Sequence, residues 1–166
     1  MKKDIQIPII SGIEMAVVFE YNDIYKTDDW NVYIINQKDI QIPEVSGVEI
    51  AVVYEYNPLY KTDDWNIYIL NNKKVALEMI VIVSQGFSET KTTSLLRKKL
   101  AVLPANSFAK VEFIQPELFV LNNRFQVSFF ENNHLKDKTF LFEKNAIKES
   151  RLRMIPEIKK RGILAK

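Results

Sequence analysis

The chain has no cysteine, one histidine and only four glycines in 166 residues. Without thiols there is neither a disulfide framework nor thiolate chemistry. A single histidine without cysteine leaves too few ligands for a tetrahedral zinc centre. Gly12, Gly47, Gly86 and Gly162 stand far apart, so no glycine-rich loop can gather backbone amides around a phosphate. Long apolar runs are missing too. The best, Met79 to Val83, falls well short of the ~18–20 residues that cross a bilayer as a helix. The start, MKKDIQIPII, breaks any apolar stretch with Asp4, Gln6 and Pro8, unlike a secretory signal. These absences lead to the expectation of a cytoplasmic protein with no membrane partner and no cofactor.

What is present is a repeat. Lys3 to Asn36 reads KDIQIPIISGIEMAVVFEYNDIYKTDDWNVYIIN, and Lys38 to Asn71 reads KDIQIPEVSGVEIAVVYEYNPLYKTDDWNIYILN; 25 of the 34 positions are identical. Seven of the nine differences exchange one apolar or aromatic residue for another, which packed sites tolerate. Only Ile9/Glu44 and Asp23/Pro58 change chemistry. The organisation expected is a duplicated segment, residues 1–37, supplying an extra strand pair, then a domain at 38–145 and a basic tail at 146–166. The duplicated segment is expected either to pair with an edge of its own domain or to exchange with a second protomer and form a homodimer.

Forty-seven per cent hydrophobic residues suffice for a core and exclude a disordered chain. Their spacing is mostly period two, the mark of half-buried strands. Val48, Ile50, Val52, Tyr54 and Tyr56 share one phase; Trp65, Ile67 and Ile69 share another after Pro58 and Lys61–Asp64. Asn71–Lys74 suits a tight turn, and Val75 to Ser84 resumes as a strand. Thr92 to Leu103, with Arg97, Lys98 and Lys99 at its middle, reads as a charged edge strand, with a helix over Leu95–Leu103 as its competitor. Phe108–Ile114, Leu118–Leu121, Phe125–Glu131 and Thr139–Glu143 complete a meander. The fold expected is all-β: an antiparallel, immunoglobulin-like β-sandwich of about seven to nine strands with little helix. Its expected core contains Trp65, Ile67, Ile69, Met79, Val81, Val83, Phe113, Val127 and Phe129. The tail, interrupted by Pro156 and Gly162, suits neither a long helix nor a strand.

Charge is divided unevenly. Residues 1–72 carry 5 Lys/Arg against 12 Asp/Glu, and residues 73–166 carry 18 against 9. A basic second half can meet nucleic acid or an acidic partner, although no tight Lys/Arg run has aromatics interleaved with it. Chemistry-bearing residues are few. His134 lies in a turn sequence with Asp137 too near in the chain for a Ser-His-Asp triad, which is normally assembled from distant segments. Asp28-Asp29 and Asp63-Asp64 offer oxygens of the kind calcium takes, but without the alternating Asp-x-Asp-x-Asp-Gly spacing they read as solvated turn residues. Phe125, Phe129 and Phe130 beside Arg124 are candidates for stacking on single-stranded bases, in competition with the core. No residue is nominated as catalytic, cofactor-binding or metal-ligating.

The phrases KDIQIPEVSGVEIAVVYEYN, DDWNIYILNN, LEMIVIVSQGF, ANSFAKVEFI and RGILAK, spread over residues 38–166, resemble a small family of Bacteroidetes proteins of unassigned role. Some members are labelled phenylalanyl-tRNA synthetase alpha subunit. A class II synthetase builds its site on a large antiparallel sheet with arginine motifs and several hundred residues. This chain has neither the motifs nor the length, so no functional residue is carried over. The function expected is a non-catalytic β-sandwich that binds a protein or peptide, with a nucleic-acid or translation-associated accessory as the alternative.

Overall fold

The structure, a computed structural model, describes residues 13–22, 27–36 and 45–166. The chain divides into two compact units, residues 1–44 and 45–166. The first contains β1 (Ile13–Asn22) and β2 (Thr27–Asn36), an antiparallel pair running from Ile13 opposite Asn36 to Asn22 opposite Thr27. The boundary expected at 37/38 lies outside the described residues.

The second unit is the expected antiparallel sandwich, with nine strands. They are β3 (Val48–Asn57), β4 (Thr62–Asn71), β5 (Leu77–Phe87), β6 (Leu96–Leu103), β7 (Ser107–Phe113), β8 (Asn122–Glu131), β9 (His134–Phe142), β10 (Arg153–Ile155) and β11 (Lys160–Leu164). One sheet has the order β10-β11-β3-β4-β7 and the other β6-β5-β8-β9. The competing helix over Leu95–Leu103 does not form; β6 is an edge strand. Leu118–Leu121, expected as strand, falls largely in a short 3-10 turn over Pro116–Val120, where proline at the first position suits helical entry. The β8–β9 hairpin turns on Asn132 and Asn133, both at positive φ, which is the backbone of the turn that matches strand twist.

The core fills the space between the sheets. Val48, Ile50, Val52, Trp65, Ile67 and Ile69 meet Leu77, Ile80, Ile82, Phe125, Val127 and Phe129. Each such side chain is worth about 1.5–3 kcal/mol of burial. Trp65 packs edge-on against Phe119, ring centres 5.3 Å apart. A smaller cluster lies on the other face of the five-stranded sheet, where Ile155 and Ile158 cover Ala51, Val53, Tyr68 and Leu70.

Two bulges overturn part of the expected core. Met79 takes φ 50° and the β5–β8 register shifts between Glu78 and Val81. The inward phase therefore passes from Leu77 to Ile80 and Ile82. Met79 is left 65% exposed and Val81 and Val83 only half-buried. In β7 the register against β4 skips Val111, so Phe113 comes out 50% exposed and Ile114 is buried instead. A bulge inserts one residue and inverts every later side chain, which period-two counting cannot see. Tyr56, expected in phase with Val52, is also exposed, because β3 and β4 run past the edge of the core there.

The segment expected as a basic tail, suited to neither a long helix nor a strand, is instead part of the sheet. Gly162, Ile163 and Leu164 of β11 pair with Val53, Val52 and Ala51 of β3. A Cβ on Gly162 would stand 2.7 Å from the Val52 carbonyl oxygen and from Ile155 Cδ1, so this close approach requires glycine. Beyond β11 the chain end ties the sheets together: the Ala165 amide donates to Ile50, and Lys166 exchanges backbone hydrogen bonds with Leu141 of β9. Pro156 sits in the β10–β11 turn, where its missing amide proton costs nothing.

Candidate functional site

β6 and β7 are edge strands of the two sheets, and the chain crosses between them through a short turn at Pro104–Asn106. A cleft of about 240 Å³ opens between the sheets near them, walled by Leu96, Ile114, Leu118 and Phe125, with Ser84, Thr93 and Asn123 as polar lining. Glu112 enters this cleft because of the bulge. With Val111 skipped, Glu112 stands opposite core-facing Ile67 and so faces the interior. Its Oε2 is buried and has no hydrogen-bond donor among the described residues. Burial pushes the Glu112 carboxyl above the usual carboxylate range, against the Ser84 hydroxyl and the Lys98 ammonium, which draw it down. Lys98 stands opposite Ile82 on β5 and therefore shares its inward phase at the sheet edge. The unpartnered Oε2 leaves an acceptor that a donor on a ligand can satisfy.

The rim of the cleft is β6 itself. It pairs on one side only, with β5, so its other edge presents backbone groups without a neighbouring strand. Arg97, Lys98 and Lys99 are exposed there, together with Leu95, Leu96 and Val102. Inward charge on an edge strand is a known guard against indiscriminate edge-to-edge pairing.

A second polar constellation lies on the outer face of the five-stranded sheet. Glu55 Oε1 accepts from Asn66 Nδ2 at 2.9 Å and from the Tyr68 hydroxyl at 2.7 Å, while Oε2 is ion-paired with Lys160. Lys160 Nζ also donates to the Tyr68 hydroxyl at 3.1 Å and lies 5.0 Å from its ring centre. Burial alone would raise the Glu55 carboxyl. The hydrogen bonds from Lys160, Tyr68 and Asn66 outweigh it and hold the group below the usual range. Lys160 is likewise opposed by burial, but its bonds to Glu55 and Tyr68 keep its pKa above the ordinary lysine value. Tyr68 is raised, by burial first and by Glu55 second.

The residues weighed from the sequence do not converge. His134 opens β9, exposed, with Nδ1 2.8 Å from the carbonyl oxygen of Asn132 in its own turn. Asp137 is three residues along the same strand, so the two side chains point to opposite faces. Asp64 is engaged locally by Asn57 Nδ2 and, at 3.0 Å, by Thr62 Oγ1. Asp28 and Asp29 belong to β2, and their side chains lie outside the described residues. Among the described residues no three His, Cys, Asp or Glu side chains gather as a metal site. Of the three phenylalanines weighed for base stacking, Phe125 and Phe129 are buried in the core and Phe130 is half-buried. Glu112 and the Glu55–Lys160 pair were not nominated from the sequence: the first depends on a bulge, and the second joins residues 105 apart in the chain.

Compared with protein-family models, with curated proteins and with solved structures, the chain matches none.

Proposed function

We propose that the chain is a non-catalytic binding module that receives an extended segment of a protein partner along the free edge of β6. The observation that carries this reading is the eight-residue edge of β6, open on one side, basic at its centre and bordering the Glu112 cleft. An added strand would gain main-chain hydrogen bonds along the edge, and alternate side chains would set specificity. Arg97 and Lys99 favour acidic residues on one face of that strand. On the other face a donor side chain could enter the cleft toward Glu112 Oε2, whose buried position otherwise leaves it unpaired. The strand order supports the immunoglobulin-like reading as well: first, second and fifth sandwich strands share one sheet, and the third, sixth and seventh share the other, with the fourth at its edge. A cytoplasmic place, argued from the absence of cysteine, belongs to the same reading.

The test is fluorescence anisotropy with a labelled peptide of alternating valine and glutamate. Binding should weaken about tenfold or more in the Arg97→Glu/Lys99→Glu variant, a difference of roughly 1.4 kcal/mol. Affinity unchanged by that reversal would overturn the edge-pairing reading. An RNA oligonucleotide binding with steep salt dependence, where the peptide does not bind, would favour the nucleic-acid alternative instead.

A further inference from the structure

On the outer face of the five-stranded sheet, Asn66 presents an unmet requirement. The residue is 1% exposed; its Nδ2 is committed to Glu55, and its Oδ1 is buried without a donor among the described residues. A buried acceptor left unpaired costs roughly 1–3 kcal/mol, so a native structure that keeps one is often completed by something else. Asn66 and Lys110 line two adjoining hollows, of about 440 and 280 Å³. The larger is bordered by Tyr60, 71% exposed, and Phe113, 50% exposed, two rings whose apolar faces meet solvent.

The chemistry of this surface selects among ligand classes. An anion would face the carboxylates of Glu55 and Asp64, and a cation would face Lys110 and Lys160. A neutral molecule rich in hydroxyls avoids both penalties and uses both signs of group. Its O–H donors satisfy Asn66 Oδ1 and the outer carboxylates, and its oxygens accept from Lys110. Exposed rings beside such polar groups suit a ligand with one apolar face, as a pyranose ring has. We propose that this groove binds a neutral oligosaccharide, with Asn66 and Lys110 reading adjacent hydroxyls and Tyr60 and Phe113 stacking on sugar rings. The site is on the opposite side of the sheet from the core and does not depend on the edge of β6.

The test is titration of the intact, isotopically labelled protein with cellohexaose, maltohexaose, laminarihexaose and xylohexaose, followed by amide NMR. At least one should give saturable shifts centred on Asn66, Lys110 and Phe113. Tyr60 and Lys110 are exposed, so Tyr60→Ala and Lys110→Ala should fold as the parent while weakening that sugar about tenfold. The Arg97→Glu/Lys99→Glu variant should bind it unchanged, which separates this site from the edge of β6. No saturable shift with any of the sugars, shifts located elsewhere, or affinity that survives both substitutions would overturn the proposal.

Discussion

The β1–β2 and β3–β4 hairpins are nearly one sequence, and they pair in one register: Val17 opposite Val32 corresponds to Val52 opposite Ile67, and Phe19 opposite Trp30 to Tyr54 opposite Trp65. Their surroundings differ. β3–β4 sits inside a five-stranded sheet, with β11 on one side and β7 on the other, whereas β1–β2 forms a two-stranded sheet of its own. The same residues can therefore determine a hairpin without determining which strands lie beside it. Register follows from the local alternation and the turn; the stability of a lone two-stranded pair is marginal, and only neighbours add to it. The second copy has the advantage of continuity, because Asn71 to Lys74 leads it straight into β5. Seating the first copy instead would require looping out ~35 residues, a closure cost of roughly 3 kcal/mol on logarithmic scaling.

The two hairpins should differ most at their tryptophans. Trp65→Ala should cost about 3–5 kcal/mol in urea unfolding, the range for a buried aromatic, and Trp30→Ala less than ~1 kcal/mol. Equal losses would mean that both hairpins serve the core alike. Next in size is Gly162→Ala, which pushes a methyl group against the Val52 carbonyl oxygen and should cost about 1–3 kcal/mol. This change acts on the seat of the second copy alone, so it should leave a chain lacking residues 1–37 just as destabilised.

Glu55 and Glu112 should respond to pH in opposite directions. Glu55 is held below the usual carboxylate range, so its contribution is present above that range and is lost as pH falls through the lowered folded value. Glu55→Gln should cost about 1 kcal/mol near neutrality, for a partly exposed pair, and Glu20→Gln at the matching position of the first copy distinctly less. Glu112 has the opposite sign. Its folded pKa is raised, so the folded state holds the proton longer, and stability should decline as pH rises from the ordinary carboxylate value through the raised one. Glu112→Gln should remove that decline in thermal melts across the acidic range; an unaltered profile would place the carboxyl in water. The smallest effect is expected from deleting residues 1–37: a folded sandwich whose thermal midpoint moves by no more than a few degrees. If the hairpins exchange between protomers, light scattering should show the same deletion turning a dimer into a monomer.

Much of this fold was legible in the alternation. The strands around Val52, Ile67 and Val127 and the basic edge at Arg97–Lys99 follow from local spacing. The phase of β5 beyond Met79 and of β7 beyond Lys110 was not, because a bulge is decided by how two strands match across the ladder. The outer groove escaped for a related reason: Asn66 and Glu55 read as ordinary polar positions until Tyr68, Lys110 and Lys160 are brought beside them.

Local spacing alone determined two closely matching hairpins, a β-rich chain and the polarity of the faces of strands that carry no bulge, since these depend on neighbours one to a few residues away. Only the tertiary structure decided which hairpin occupies the centre of a sheet, that Glu112 turns inward and that the basic C-terminal segment becomes β10 and β11 beside β3. Those outcomes rest on pairings between residues far apart in the chain, such as Glu55 with Lys160, and on a backbone approach at Gly162 that no local pattern encodes.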